Sequence, residues 1–346
     1  MSNPHAIVEI DGFQWDSWKH PNLFSRVTVE LTTGMASEAE WECVDEDFRI
    51  INKYTVQGGV AFSVMRVWLG FGESLGEPVF KGLLTRVQRG AARTTFVAYD
   101  MGFKMRLVQK AEYHKGTELE IIAKLVKRNG LLFQGPAKPL KLEAHKAMAQ
   151  DGQTDWEHIA ELAHDAGLML WCRGDTVFAD YPAKVGVPKT TLKNRQDFTI
   201  LNDFDLTFRV PENRGGRPKG VEVRGRGRGG KRLTGSSDKS SRGHQELLIK
   251  RDLARHTKAY ATMRAQAQKE LDREHAFTLF VRSISALPDS RVDVRDTIAI
   301  VEVGDLFSSK GQAGKPSGYI ADKVVHELTP GRLTTSYDLH RDTRES

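Results

Sequence analysis

The stretch from Gly116 to Ala179 constrains the fold most, because it holds two helical segments whose starts, buried faces and stops can all be read from residue spacing. In KGTELEIIAKLVKRNGLL, Thr117 caps the first helix, and Glu120 three places on completes a capping box that satisfies backbone N–H groups left over at a helix start. Leu119, Ile122, Leu125 and Val126 recur at helical spacing, and Asn129-Gly130 supplies the stop. In QTDWEHIAELAHDAGLMLWCRGDTVFAD, Thr154 and Glu157 repeat the box, Trp156, Ile159, Ala160 and Ala163 form the stripe, and Gly167 ends it. The apolar run Leu168 to Cys172 then meets Thr176 to Ala179 across Arg173-Gly174-Asp175, a small hairpin. These elements predict a compact α+β module over 111–182, inserted between two regions of different character.

The first of those regions, 1–110, follows a period of two. Ala6-Ile7-Val8 starts it, and Phe24 to Leu31 alternates Phe24, Arg26, Thr28 and Glu30 against Val27, Val29 and Leu31, as a half-buried strand requires. Phe48 to Ile51, Tyr54 to Val56, Ala61 to Leu69, Val79 to Val87 and Thr94 to Tyr99 continue it between glycine-rich breaks. A barrel-like or closed sandwich domain is expected, since closure removes sheet edges that invite unwanted pairing. Asp11 to Trp18, polar on one side and aromatic on the other, fits either a hairpin or an interface arm, with Trp15 and Trp18 as candidate interface aromatics.

A second barrel-like β region is expected over 183–346, after a linker Pro182 to Lys193 and starting at Phe198. Phe277, Leu279 and Val281 alternate, Ile298 to Val303 follows, and Tyr319 to Leu328 and Leu333 to Leu339 pair across Thr329-Pro330-Gly331. A long helix is predicted over 245–273 from the stripe Leu253, Thr257, Tyr260, Ala267 and Leu271. Between these lies a basic excursion, 209–243, too rich in glycine, serine and charge to offset the entropy of ordering every residue. Lys219 to Gly225 is its exception, where Val221 and Val223 supply one apolar strand face. The loop Gly304 to Gly318 reads as exposed.

The length of 346 residues sets a prior of two or three domains, and the absence of any run of about 18 apolar residues argues against membrane insertion. Glu9 and Asp11 stand where a secretory signal needs basic and apolar segments. Cys43 and Cys172 read as two buried free thiols of a reducing cytoplasm. The net charge of +6 is unevenly spread: residues 1–60 hold ten acidic against four basic side chains, and 214–232 hold eight basic against one glutamate. Such polarity suits contacts with other macromolecules.

Catalytic patterns are missing. Gly225, Gly230 and Lys231 have phosphate-loop spacing, but Arg232 stands where the magnesium-binding Ser or Thr belongs and no helix pattern follows. No G-x-S-x-G elbow occurs, and neither cysteine has an activating histidine nearby in sequence. His158 and His164 lie six apart on different helix faces, so no metal or other cofactor is expected there. His158 reads as an exposed or locally bonded helix residue, His326 as an outward strand residue, Asp45-Glu46-Asp47 as a solvated charge run, and Trp156 and Trp171 as braces of the module core. The remaining signal is the basic run Arg224, Arg226, Arg228, Lys231 and Arg232. It suits phosphate neutralisation, an acidic partner or the lining of a passage, or a solvated loop; the lack of interleaved aromatics weighs against single-strand stacking.

With these residues assembled, TELEIIAKLVKRNGL at 117–131 and TDWEHIAELAHDAGLMLWCRGDTVFAD at 154–180 resemble the tail hub proteins of contractile-tailed phages, the late control protein D family, related to the T4 baseplate hub and to the hub part of type VI secretion spikes. Thr154, Asp155, Trp156, Leu162, Ala163 and Gly167 match that family's second helix motif, while His158 and Ile159 replace its usual apolar pair. The order of Ala265–Leu271, Phe277–Ser283, Tyr319–His326 and Gly331–Leu339 is also similar. Ser285-Ala286-Leu287-Pro288-Asp289-Ser290 departs from the family's G-x-P-x-L/I-x-P-G turn, and the basic excursion has no family counterpart that assigns it a role.

The resemblance implies a non-enzymatic structural hub: a homotrimer whose two β domains per chain form a pseudo-sixfold ring. Such a ring joins a sixfold tail tube, or its distal initiator protein, to a threefold spike and leaves a passage for DNA or effector. It also implies a place in the virion tail baseplate, assembled in the host cytoplasm. A basic nucleic-acid-binding protein and a tail-associated cell-wall hydrolase are the alternatives.

Overall fold

The computed structural model describes residues 3–46, 49–52, 63–73, 75–137, 145–183, 186–193, 205–208, 221–226, 232–236, 247–254, 278–286, 291–301 and 318–342. The architecture is mainly β with an α+β insertion. Seven antiparallel strands open the chain: β1 (Pro4–Ile10), β2 (Phe13–Asp16), β3 (Phe24–Thr32), β4 (Glu38–Val44), β5 (Val64–Phe71), β6 (Phe80–Arg89) and β7 (Arg93–Asp100). β1 and β2 form a hairpin across Asp11-Gly12, both in the left-handed region that a tight two-residue turn requires (φ 49° and 84°). Of the two readings of Asp11–Trp18, the hairpin is the one adopted.

The insertion comprises β8 (Gln109–Gly116), α1 (Glu118–Arg128), β9 (Leu132–Gln134), β10 (His145–Thr154), α2 (Asp155–Asp165), β11 (Met169–Arg173) and β12 (Thr176–Asp180). Both capping boxes form: Glu120 N donates to Thr117 Oγ1 at 3.3 Å with the return bond at 2.7 Å, and Glu157 N donates to Thr154 Oγ1 at 3.2 Å with its return at 2.7 Å. Gly130 and Gly167 take the left-handed stop positions, φ 72° and 73°. The hairpin pairs Trp171 with Phe178 as its alternation predicts.

The remaining strands are β13 (Thr190–Lys193), β14 (Asp205–Phe208), β15 (Val221–Arg226), β16 (Arg232–Ser236), β17 (Leu247–Ala254), β18 (Thr278–Ala286), β19 (Thr297–Val301), β20 (Tyr319–Thr329) and β21 (Arg332–Asp342). One thirteen-stranded sheet runs β14-β18-β21-β20-β3-β4-β7-β6-β5-β1-β2, with β19 pairing β20 and β13 pairing β19. Its central joint is β3 against β20, where Val27 meets Leu328 and Leu31 meets Val324. Strands nearly 300 residues apart in sequence therefore share one ladder, and each buries the alternate face that its own sequence marks as apolar.

Two cores follow. The sheet core packs Trp41, fully buried, against Trp15, Phe24 and Phe96 with ring centroids 5.0, 5.6 and 5.2 Å apart, and extends to Tyr319 and Tyr337. The module core gathers Ile121, Ile122, Leu125 and Val126 of α1 with Trp156, Ile159, Leu162 and Ala163 of α2, against Met101 and Met105 of a short 3-10 turn after β7. Each fully buried aliphatic side chain contributes about 1.5–3 kcal/mol relative to exposure. These stripes therefore fix where the module sits.

Several expectations are corrected. Within the expected helix 245–273, Leu247–Ala254 is strand β17, paired parallel to β15; Leu247-Leu248-Ile249 gains more from a ladder partner than helical periodicity offers, and 255–273 lies outside the described residues. The linker 182–193 ends in β13, parallel to β19, and the excursion 209–243 contains β16 in addition to β15, the strand expected over Lys219–Gly225. Residues 49–52 form a turn and the start of a helix rather than a strand. Asp45 is no solvated charge: it is buried, and its carboxylate accepts from the amides of Ile50 and Ile51, each at 3.0 Å. His326 points inward, in line with Val324 and Leu328, and contacts Thr335 Oγ1 at 2.8 Å. Trp171 packs on the sheet core rather than the module core, stacked with Phe178 at 5.0 Å and under the Arg295 guanidinium at 4.1 Å. The expected strand Tyr54–Val56, the start at Phe198, the turn Leu287–Ser290 and the loop 304–317 lie outside the described residues.

Candidate functional site

The basic run is resolved into a register. Alternation along β15 puts Glu222, Arg224 and Arg226 on one face and Val221, Val223 and Gly225 on the other. Antiparallel pairing sets Arg226 opposite Arg232 and Arg224 opposite Thr234, and parallel pairing sets Lys250 beside Arg224. Cross-strand partners share a face, so Arg224, Arg226, Arg232 and Lys250 lie on one side of the three-stranded sheet β16-β15-β17. Val221, Val223, Leu233 and Ile249 hold the other. The structure thus brings together three of the five basic residues singled out from sequence and adds Lys250; Arg228 and Lys231 lie outside the described residues.

Of the two candidate interface aromatics, Trp15 is a core residue: it is 8 % exposed and packs on Trp41. The β1–β2 pleat turns it inward. Trp18, just past the hairpin, is 40 % exposed. Its Nε1 donates to the Pro4 carbonyl at 2.8 Å and its ring stacks on His5 at 4.2 Å, so it is held rigidly.

A polar network that the sequence reading did not isolate lies where the end of α1 meets the start of α2. Asp155, the first residue of α2, is 2 % exposed and its carboxylate accepts from five donors. These are Lys110 Nζ at 3.1 Å, Arg128 Nε and Nη2 at 3.2 and 2.6 Å, Asn129 Nδ2 at 2.8 Å and Gln150 Nε2 at 3.1 Å. Burial alone would raise its pKa, but the hydrogen bonds from Arg128, Asn129, Gln150 and Lys110 outweigh it and hold the carboxyl well below the usual carboxylate range. Next to it, the buried His114 and His158 rings sit 5.3 Å apart. His158 Nδ1 contacts Gln153 Oε1 at 3.1 Å and His114 Nε2 contacts Gln150 Oε1 at 2.9 Å. His158 is thus locally bonded and buried, and burial followed by the neighbouring His114 lowers its pKa. The signal for this network was available in part: Asp155 falls in the first turn of a capped helix, where a carboxylate is favoured, but its partners on β8, α1 and β10 come from tertiary placement.

At the boundary between module and sheet, Asp100 accepts from Ser37 N at 2.6 Å and Gly102 N at 2.9 Å. Burial pushes its carboxyl up to about 6, against the opposing pull of those amides and the Arg106 charge. Arg106 lies over the Trp156 ring at 4.3 Å. Both thiols are free and buried. Desolvation pushes Cys43 up to about 12 and Cys172 higher still, so neither is a nucleophile near neutral pH. Among the described residues, no three or more His, Cys, Asp or Glu side chains gather as a metal site, and no helix is long and apolar enough to cross a membrane. Asp45, Asp100, Asp155, Glu120 and Glu157, among the described residues, serve hydrogen bonds, caps and ion pairs within the fold.

No family model and no curated protein sequence matches the chain. Solved structures do. A tail protein from Neisseria meningitidis MC58 superposes with a TM-score of 0.66 at 14 % identity, covering 98 % of this chain and 97 % of that one. The 43 kDa tail protein of prophage MuSo2 from Shewanella oneidensis gives 0.63 at 11 %, covering 98 % and 99 %. The c3393 protein of E. coli, a type VI secretion component with structural similarity to the T4 tail proteins gp27 and gp5, gives 0.62 at 10 %, covering 96 % of this chain and 76 % of its own. At such low identity the likeness is one of backbone path, and that path runs the length of the molecule. The chain carries the fold shared by these phage tail proteins and by that type VI secretion component.

Proposed function

We propose that this protein is a structural hub of a phage tail or related injection machine. Three copies would form a ring of pseudo-sixfold symmetry between the tail tube, or its distal initiator, and a threefold spike, with a central passage. The observation that carries this reading is the match in fold over almost the entire chain to tail proteins, both chains being covered at 97 % or more. The buried or ion-paired state of the described carboxylates discussed above, together with two suppressed thiols, supports a role played by shape rather than by a reaction centre. On this reading the two β-rich regions, 1–110 and 183–346, are the comparable barrel-like units that each chain contributes, and the module 111–182 braces them. The place of action is the baseplate of the virion, after assembly in the host cytoplasm. Light scattering on the purified chain of 38.8 kDa, with and without the spike and tube partners, tests it. Three copies per particle are expected; a monomer at high concentration in the presence of both partners overturns the ring.

A further inference from the structure

We propose that His114 and His158 form an acid-sensitive latch, which docks the ribbon β8–β10 on α2 while His158 is neutral and releases it when His158 takes up a proton. The ribbon needs such a fastening. β8 and β10 pair with each other and with no other strand among the described residues, and a two-stranded sheet is marginal on its own. His114 is the single buried side chain of β8. Its cross-strand partner Met148 is half-buried against the module core, and Gln150, two places on in β10, is 1 % exposed. β8 is therefore held to the helices through one imidazole, whose ring lies 5.3 Å from that of His158. The latch acts within the module and does not depend on the hub reading.

The hydrogen bonds fix which ring nitrogens carry protons. Gln150 donates its amide N–H groups to the Gln153 carbonyl at 2.9 Å and to Asp155 Oδ1 at 3.1 Å, so its Oε1 accepts from His114 Nε2. Gln153 donates to Glu161 Oε2 at 3.0 Å, so its Oε1 accepts from His158 Nδ1. That leaves His158 Nε2 buried with no hydrogen-bond partner. A proton there would be a buried donor without an acceptor, on a cation beside a second imidazole. Around His158, β8 contributes His114 and Lys110, α1 contributes Arg128, α2 contributes Asp155 and Glu161, and β10 contributes the neutral Gln150 and Gln153. Arg106 of the 3-10 turn is turned to the Trp156 ring and Arg173 of β11 to Asp293. Asp155 is already taken by Lys110, Arg128, Asn129 and Gln150. Burial, then His114 and Arg128, hold the His158 pKa below its ordinary 6.5 against the pull of Glu161 and Asp155. Such a histidine contributes stability that is full above 6.5 and is lost as pH falls toward the folded value.

The test is hydrogen–deuterium exchange of the full chain read by mass spectrometry from about pH 7 to about pH 5, with exchange times scaled for the intrinsic pH dependence of amide exchange. Protection of peptides from β8 and β10 should fall about tenfold over that range, while peptides from β4 and β7 in the sheet core keep theirs. His158→Phe keeps an aromatic ring of similar size and removes the titration, so its ribbon protection should stay level. His164→Phe, at an exposed position on the same helix, should behave as wild type. His114→Gln retains a donor for Gln150 Oε1 while removing the second imidazole, and should lose less protection than wild type; it replaces His158→Phe as the deciding variant if that protein does not fold. Ribbon protection that is level with pH in wild type overturns the proposal. So does a loss that persists in full in the variants at 158 and 114, or one that spreads equally to β4 and β7, which would mark general acid unfolding.

Discussion

Asp155→Ala is the most informative single change, because one buried carboxylate ties β8, α1, β10 and α2 together. Removing it strips Arg128 of two hydrogen bonds and Lys110, Asn129 and Gln150 of one each. Breaking a buried ion pair from one side costs about 3–5 kcal/mol, most of it from the charge left behind. Here the losses are partly cushioned. Arg128 keeps Glu112 at 2.7 Å, Asn129 keeps the Leu125 carbonyl at 2.8 Å, and Gln150 keeps the Gln153 carbonyl at 2.9 Å. The Arg128 and Lys110 side chains are 28 % and 27 % exposed and can take water. The expected loss is therefore at the lower end, about 3 kcal/mol. The assay is urea unfolding followed by tryptophan fluorescence, with Trp156 in the affected core as the local reporter. The pH dependence follows from the depressed pKa: the contribution is fully present above about pH 4, the ordinary carboxylate value, and is lost as pH falls through the lower folded value. The gap between wild type and variant should hold from pH 7 to 5 and shrink below about pH 4. A gap under about 1 kcal/mol, or one that persists undiminished in acid, would refute the assignment of stability to this network.

The other expectations are simpler. Asp100 works with the opposite sign: its folded pKa of about 6 lies above the unfolded value of 3.8, so its contribution is full below pH 3.8 and lost as pH rises through 6. Wild type should gain about 1 kcal/mol from this group between pH 7 and 5, and Asp100→Asn should remove that increment; equal slopes for the two proteins contradict the burial argument. Gly102→Ala places a Cβ 2.8 Å from Trp156 Cζ3 and 2.9 Å from Asp100 Oδ1, and should cost about 1–3 kcal/mol in thermal unfolding by overpacking. Thr154→Ala should lose about 1 kcal/mol with the α2 capping box. Cys43 and Cys172 should stay silent to a thiol reagent in the native state and both react after denaturation; fast native labelling of either contradicts its burial.

Local chemistry was legible where one residue's neighbours in sequence are also its neighbours in space. The capping boxes at Thr117 and Thr154, the stops at Gly130 and Gly167 and the hairpin of Trp171 and Phe178 all belong to that class. β4 escaped notice because Glu38, Glu40 and Glu42 are poor strand formers taken alone. It forms because Ala39, Trp41 and Cys43 fill the core between them, while Arg26 and Arg93 neutralise Glu40 and Glu42, each at 2.5 Å. β17 reversed a helical expectation for the same reason, a ladder partner outweighing propensity.

The candidate site divides along the same line. Residue type alone marked the cationic run from Arg224 to Arg232, the six tryptophans and the absence of nucleophile and metal spacing. Only the tertiary structure decided that Trp15 turns into the core while Trp18 stays at the surface, that Lys250 joins Arg224 on one face, and that Asp155 collects donors from three other elements. The physical reason is range: capping and alternation are set within a few residues of chain, whereas the pairing of β3 with β20 and the company a buried charge keeps are set by segments far apart in sequence, whose meeting no local spacing encodes.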